Sequence, residues 1–491
     1  MSHNLADAFI ALADRWPDRP AVLSPDTSLT FSQLVGRASR LAELLKRRGI
    51  GSGDRVGIAQ TNTTNAFLLM LATWLCGATA LVVDFRTRAP ERKKLADGLG
   101  LKFFVEDRPG PGADSYAAVR SDEAWADEEE RVTPSPVPTT ELANPIAVIG
   151  VSSGTSGLPQ PVALSHNCLY TRAALVVTSP QWVRGCRLIV TAPLSFTATR
   201  MTVLSCLLDG GSVYFTPILI SSEELAETIA SSKATAMLTV PATVRGLMGL
   251  AGSRAPLFPS LAYLNSCGAP MPATEKIAAR QALTPGFLEN YGSTMAGMLT
   301  VLESKDIDAH GNSVGRPLPH VRVQIVDSQD RPLPPGEVGA IRARTPGVGQ
   351  PLSLGSGEDE RTSDLLIDGW IYPGDIGALE DGFLKIVGRS SDMIVRGGAK
   401  VYPSEVEGVL AAHEAVAEAA VVGWPDQKLG EEVAAFVVLR SSAQPQEIMA
   451  FCRSKLHPDK QPRQVFIVDA LPRNANGKLV KRELIDRLPP R

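Results

Sequence analysis

The chain has 491 residues, and its 49 lysines and arginines nearly balance its 52 aspartates and glutamates, so no broad basic field exists for nucleic acid and no acidic field for a cationic partner. Hydrophobic residues make up 44% and charged residues 21%, which suits large cores over a length greater than one core serves, so more than one domain is expected and disorder is excluded. Six cysteines at 76, 168, 186, 206, 267 and 452 form no CxxC pair and no Cys/His cluster, and no signal peptide is read, which points to a reduced, cytoplasmic protein without structural zinc.

In chain order, Leu34, Ala38, Leu41 and Leu45 recur at helical spacing, Gly49 and Gly51 supply the stop, and the apolar run 56–59 follows as a strand. The uncharged stretch 66–83 is interrupted by Gly77 and closed by Asp84, so it reads as a buried helix and a buried strand, not a membrane span. The same rhythm through 147–151, 187–192 and 236–240 predicts alternating strands and helices in a layered α/β architecture. Residues 108–145, with the acidic run 127–130 and Pro134, Pro136 and Pro138, read as a surface connection, and 353–360 as a loop. Beyond Arg389 the pattern becomes compact. Ser404 and Glu407 fit a capping box opening a helix whose Val406, Val409, Leu410 and His413 share a face, so a small C-terminal domain is expected to begin near Ser391.

The most informative segment follows the strand at 147–151: Ser152, Ser153, Gly154, Thr155, Ser156, Gly157, Leu158, Pro159, Gln160, Pro161. Glycines allow close backbone approach and hydroxyls donate hydrogen bonds, so the composition suits the oxygens of a polyphosphate. No GKS or GKT follows, which excludes a Walker A loop. Gly150, Ser152 and Gly154 satisfy GxSxG, but a nucleophile elbow needs a helix directly after Ser152, and Gly154, Gly157, Pro159 and Pro161 oppose one. Taken alone, the segment also fits a Ser/Gly surface loop without a ligand.

Residues 152–166 resemble the signature of the adenylate-forming superfamily of acyl-CoA synthetases, peptide-synthetase adenylation domains and luciferases. Further segments match in the family's order: Cys267-Gly268-Ala269-Pro270, Tyr291-Gly292-Ser293-Thr294, Gly374-Asp375 with Gly388-Arg389, and Gly477-Lys478. The resemblance implies a large N-terminal domain of stacked β-sheets and helices over 1–390, and a small mobile α+β domain over 391–491. It implies ATP-dependent activation of a carboxylic acid through an acyl-adenylate, then transfer to a thiol, with ATP, magnesium and coenzyme A taking part. Two anions must meet in the first step, so cationic and amide donors are required.

By resemblance, Lys478 is the catalytic cation, and Ser152, Ser153, Gly154, Thr155, Ser156 and Gly157 hold phosphates. Gly268, Ala269 and Pro270 form the adenine slot, Tyr291 packs on the ring, and Gly292 and Ser293 lead to Thr294 facing the phosphates. Asp375 accepts from both ribose hydroxyls and Arg389 also reaches the ribose. Ser391 stands at the hinge position, and Gly397, Gly398 and Lys400 stand where coenzyme A ligases pass pantetheine. Outside the match, Lys478 would read as a solvated lysine, Asp375 and Thr294 as turn residues, Tyr291 as core, Arg389 as half of an ion pair, and Gly397-Gly398 as a tight turn.

The pattern is broken in places. Met295 replaces the usual magnesium-holding glutamate and cannot ligate that ion. Gln160 and Pro161 replace a lysine and a glycine of the phosphate loop. Phe196 stands where many acyl-CoA ligases have histidine, and Thr197 where peptide-synthetase domains commonly have aspartate, so an α-amino group has no counter-ion. Phe196, Met295 and Met298 instead suggest an apolar wall for a fatty, alicyclic or aromatic acid, or plain core. The remaining histidines at 3, 310, 320, 413 and 457 show no metal spacing. The expected activity is an acid:thiol ligase forming acyl-CoA. Loading of a carrier protein is the nearest variant, a degenerate adenylate-binding protein the second alternative, and a serine hydrolase the third.

Overall fold

The computed structural model describes residues 4–24, 28–109, 112–134, 146–153, 159–252, 255–353, 365–473 and 479–489, with backbone alone for 152, 153 and 159. The chain divides into two compact units, residues 1–323 with 343–373, and residues 324–342 with 374–491. The boundary expected near Ser391 lies inside the second unit.

The first unit is a mixed α/β body built on a nine-stranded and a seven-stranded sheet. In the larger sheet Phe287–Ser293, Tyr263–Ser266, Ala236–Thr239, Arg187–Val190, Ser212–Phe215 and Pro20–Leu23 lie side by side in parallel. Ala236–Thr239 and Tyr263–Ser266 are buried along their whole length, the pattern of a sheet covered on both faces, where every position must be apolar or internally bonded.

The seven-stranded sheet contains the 66–83 stretch as read: Thr63–Leu75 is a helix apolar all round, and Thr79–Val82 is a fully buried strand between Arg55–Ala59 and Ile146–Ser153. Trp74 donates its indole N–H to the Ala147 carbonyl at 2.8 Å, fixing that helix to the sheet. The Leu34–Leu45 periodicity forms the helix Phe31–Arg47, opened by a Thr30/Gln33 capping box, and Gly49 follows it at φ +84°.

The segment around the acidic run departs from expectation. Glu123–Arg131 is a helix whose N-cap Asp122 accepts from the Trp125 N–H. Glu129 is buried and accepts from Arg37 Nε at 3.0 Å with Arg40 at 3.6 Å, while Trp125 is buried beneath the Arg48 guanidinium. Glu128 and Glu129 are partners of distant arginines, while Asp127 and Glu130 stay exposed. Residues 135–145 and most of 353–360 lie outside the described residues.

In the second unit, Gly430–Leu439 pairs with Val416–Asp426, Ile394–Arg396 and Gln464–Ile467, and Ala399–Val401 closes one edge. The two-residue period of Gly430–Leu439 sends Val433, Ala435 and Val437 to a core with Val406, Leu410 and Ile448, and sends Ala434 and Phe436 to a second core with Trp424 and Leu484. Helices therefore cover both faces, as expected for an α+β body.

The expected Ser404/Glu407 capping box is not formed. Pro403 occupies the first helical position of Pro403–Ala411, so Tyr402 is the N-cap and Ser404 lies two residues past the capping position. Ser404 Oγ donates to the Val387 carbonyl, and Glu407 accepts from Val421 N and Lys481 Nζ, both at 2.8 Å. His413 falls past the helix end, edge-on to Phe451, with Nδ1 accepting from Ala415 N. Among the described residues no helix is long and apolar enough to cross a membrane.

Candidate active site

In an open parallel sheet the chain leaves each strand at its carboxyl end, and the loops there form a crevice. Tyr263–Ser266 and Phe287–Ser293 are parallel neighbours with Ser266 opposite Glu289. The residues that follow, Gly268, Ala269 and Pro270 on one side and Tyr291, Gly292 and Ser293 on the other, therefore emerge beside each other. The fold thus brings together the two segments that the sequence assigned to one slot. Gly268 has φ +89°, which only glycine adopts without cost. Gly292 is required for another reason, since a Cβ there would lie 2.1 Å from the Gly297 carbonyl oxygen.

Ser293 Oγ accepts from the Ala296 N–H at 3.1 Å, so this hydroxyl shapes the turn into Gly297–Leu302. The Thr294 methyl lies 2.9 Å from where a Cβ on Gly150 would sit. That contact sets Thr294 against the strand Ile146–Ser153, whose continuation is the glycine-rich loop. The strand Pro159–Ser165 returns antiparallel, pairing Ser153 with Pro159 and Ser152 with Gln160. A hairpin, not a strand-to-helix turn, therefore carries Ser152, and the nucleophile elbow has no structural basis. Gly154, Thr155, Ser156 and Gly157 lie outside the described residues.

Two residues that the sequence reading passed over hold this region together. Arg172 donates to the carbonyls of Gly347 at 2.7 Å, Thr294 at 3.0 Å and Met295. Arg200, with no exposed surface, donates to the carbonyls of Leu194 and Ser195 at 2.5 and 2.9 Å and to Thr197 Oγ1. Its pKa is pushed down to about 10, first by burial and then by Arg172. Each is an isolated cation within an apolar helical stretch, and that was the available signal.

Phe196 is the N-cap of Thr197–Leu208, a helix packed against the strand that carries Met298. Met295 is buried, and its carbonyl accepts from both the Arg172 guanidinium and Gly349 N. Glu289, beneath Tyr291, is pushed up to about 7 by burial against the opposing pull of Lys276 Nζ at 2.5 Å, which also donates to the Ser313 carbonyl. His166, part of the signature match, is a tether: its buried Nδ1 accepts from Leu5 N at 3.1 Å, and burial lowers its pKa to about 4.

In the second unit Asp375 and Arg389 are cross-strand partners, with Nε 3.4 Å from Oδ1. Gly374 precedes them at φ +79°, and its carbonyl accepts from Ser390 N and Oγ. Ser391 is exposed in the short turn Ser390–Asp392, with its hydroxyl 3.0 Å from Asp392 Oδ1. Gly397 and Gly398, at φ +57° and +91°, form the two-residue turn joining Ile394–Arg396 to Ala399–Val401. A side chain at 398 would meet open space, so the turn alone accounts for both glycines here, and Lys400 is exposed beside it. Lys478 lies outside the described residues, in a segment whose ends are drawn together by the bridge between Arg473 and Leu479.

Among the described residues no group of three or more His, Cys, Asp or Glu could hold a metal ion, and Met295, whose carbonyl accepts from Arg172, offers only a thioether.

Comparison with known proteins gives the following. Residues 9–351 match the family described as AMP-binding enzyme, and residues 405–478 match the AMP-binding enzyme C-terminal domain. A fatty acid–[acyl-carrier-protein] ligase of Streptomyces coeruleorubidus is 31% identical over 97% of this chain and 94% of its own length. A feruloyl-CoA synthase of Amycolatopsis is 30% identical over 96% of this chain and 97% of its own. The ATP-bound structure of MatB from Rhodopseudomonas palustris superposes with a TM-score of 0.86 at 26% identity, covering 98% of each chain.

Proposed function

The chain belongs to the AMP-binding enzyme family, and from that premise we propose that it is an ATP-dependent acid:thiol ligase that forms an acyl-adenylate and passes the acyl group to coenzyme A. The carboxylate oxygen of the acid bonds to the α-phosphorus of ATP as pyrophosphate leaves. The thiol sulfur then bonds to the acyl carbon, AMP leaves, and the thiol proton is lost. The observation that carries this reading is the meeting of Gly268–Pro270 with Tyr291–Thr294 at the carboxyl ends of neighbouring strands of the nine-stranded sheet, with Thr294 set against Gly150 of the seven-stranded sheet and matching relatives along nearly the whole chain.

In this reading adenine lies between Gly268–Pro270 and Tyr291, the hairpin loop and Thr294 face the phosphates, and Asp375 and Arg389 hold the ribose. Lys478 joins the reacting oxygens, and the domain beginning at Ser391 turns to bring Gly397, Gly398 and Lys400 to the thiol. Magnesium enters as the counter-ion of ATP. Phe196, Met295 and Met298 favour an apolar acid, fatty or aromatic, and six free, buried cysteines suit the cytoplasm.

A carrier-protein thiol is the second reading, favoured by the Streptomyces relative. Incubation with ATP, magnesium, a panel of acids and either coenzyme A or a phosphopantetheinylated carrier protein tests both. Acyl-CoA with stoichiometric AMP supports the first, acyl-carrier alone supports the second, and neither product from any acid refutes the ligase.

A further inference from the structure

The amino-terminal edge of the nine-stranded sheet gathers positive charge that the ligase reading does not use. Pro20–Leu23, Ser212–Phe215 and Arg187–Val190 are parallel neighbours, so the segments entering them meet at the edge opposite to the one from which Gly268 and Tyr291 emerge. There Arg15, Trp16, Arg19, Arg184, Gly185 and Asp209 line a hollow of about 450 Å³. Three guanidiniums from two distant segments of the chain thus share one concave surface.

The backbone and the neighbouring side chains hold these charges in place. The guanidinium carbons of Arg15 and Arg19 lie 4.8 and 5.0 Å from the centroid of the Trp16 ring, so one indole collects two cations. A guanidinium carries its five N–H donors in its own plane, and attraction to a ring does not consume them. Gly185 and Gly210, at φ +60° and +74°, leave room for Arg19. A Cβ on Gly185 would lie 3.1 Å from Nη2, and one on Gly210 would lie 3.0 Å from Nη1 and 2.6 Å from the Trp16 ring. Asp209 organises the other segment. Its side chain is only 8% exposed; Oδ2 accepts from Trp182 Nε1 at 3.2 Å and Gly185 N at 3.0 Å, and Oδ1 lies 3.4 Å from Arg184 Nη1.

The charge balance selects the class of ligand. Three guanidiniums outweigh one carboxylate, while the carboxyl ends of Leu5–Arg15 and Thr197–Leu208, capped by Trp16 and Asp209, offset part of the surplus. A single exposed carboxylate gains little in such a place. An anion with several charges engages more than one guanidinium at once, and phosphate oxygens match their fork of donors.

We propose that this hollow is a binding site for a phosphorylated small molecule with at least two negative charges, separate from the crevice at the carboxyl edge of the sheet. The helix Thr197–Leu208 starts at Phe196 and ends at Asp209, so the site lies at the far end of the element that carries part of the proposed acid wall. The site does not depend on the ligase reading.

The test uses fructose 1,6-bisphosphate, which carries two phosphates and no adenine. In calorimetric titration of the full chain at low salt, the wild type is expected to bind one equivalent with a Kd below about 1 mM, and to bind more weakly as salt is raised. Arg19→Met is expected to weaken binding at least about tenfold, and Arg184→Met about threefold to tenfold. The Arg184 side chain is 75% exposed, so Arg184→Met decides the matter if Arg19→Met fails to fold by circular dichroism. Absence of binding up to about 10 mM, binding insensitive to salt, or unchanged affinity in either folded variant overturns the inference. Acid-dependent turnover is expected to be the same in Arg184→Met as in wild type, so the loss of this site and the failure of the ligase reading are read separately.

Discussion

Asp375 and Arg389 face each other across two antiparallel strands, with the guanidinium Nε 3.4 Å from a carboxylate oxygen that is almost wholly buried. The pair is held from behind by Ser390, which donates twice to the Gly374 carbonyl. A carboxylate fixed in this way can receive two hydroxyls of a ribose without reorganising. Asp375→Ala is expected to weaken ATP binding about tenfold to a hundredfold, the value of charge-assisted hydrogen bonds lost. Titration with ATP checks this, and unchanged affinity would remove Asp375 from the site.

Gly292 has no room for a side chain, because the obstacle 2.1 Å away is the Gly297 carbonyl and not a flexible group. Gly292→Ala is expected to cost about 1–3 kcal/mol, as overpacking does, and to displace Tyr291 and Thr294. A lowered denaturation midpoint together with reduced ATP affinity is the predicted result.

The Ser404 hydroxyl ties the helix Pro403–Ala411 to the Val387 carbonyl on the strand before Ser391. If the chain turns at Ser391, that bond must break. Removing a bond of about 1 kcal/mol should shift the balance of orientations about fivefold. In single-turnover experiments Ser404→Ala should therefore change the ratio of adenylation to thiol-transfer rates by about that factor. An unchanged ratio would place the hinge elsewhere.

His166 titrates near 4 when folded, against an ordinary value of 6.5. The unfolded chain thus binds more protons over this interval, so stability rises with pH between about 4 and 6.5 and is lost as pH falls through it. The full effect is on the order of 3 kcal/mol. His166→Asn, which keeps an acceptor for Leu5 N, should flatten the pH dependence of urea unfolding in that window.

Much of this was legible in sequence because it depends on local pattern. The Leu34–Leu45 period and the 66–83 helix and strand reappear as elements, and Gly268–Pro270 with Tyr291–Ser293, and Asp375 with Arg389, reappear as neighbours. What escaped depends on partners far away in the chain. Glu129 falls in a stretch that reads as a surface connection, yet it is buried and paired with Arg37 and Arg40. Ser404 fitted a capping box by spacing, but Pro403 moved the helix start and Val387 took the hydroxyl. Arg172 and Arg200 belong to no short motif; Arg172 is defined by carbonyls brought in from 294–295 and 347, and Arg200 by the carbonyls of Leu194 and Ser195 just before its own helix.

The central claim is that this chain joins a carboxylic acid to AMP, with Lys478 at the reacting oxygens. The most direct measurement is acid-dependent exchange of labelled pyrophosphate into ATP, with wild type and Lys478→Ala compared over a panel of fatty and aromatic acids. The account predicts exchange with at least one apolar acid, none without acid, and loss of about a hundredfold or more in the variant. Folded wild-type protein that exchanges with no acid, or a variant that exchanges as fast as wild type, would contradict it.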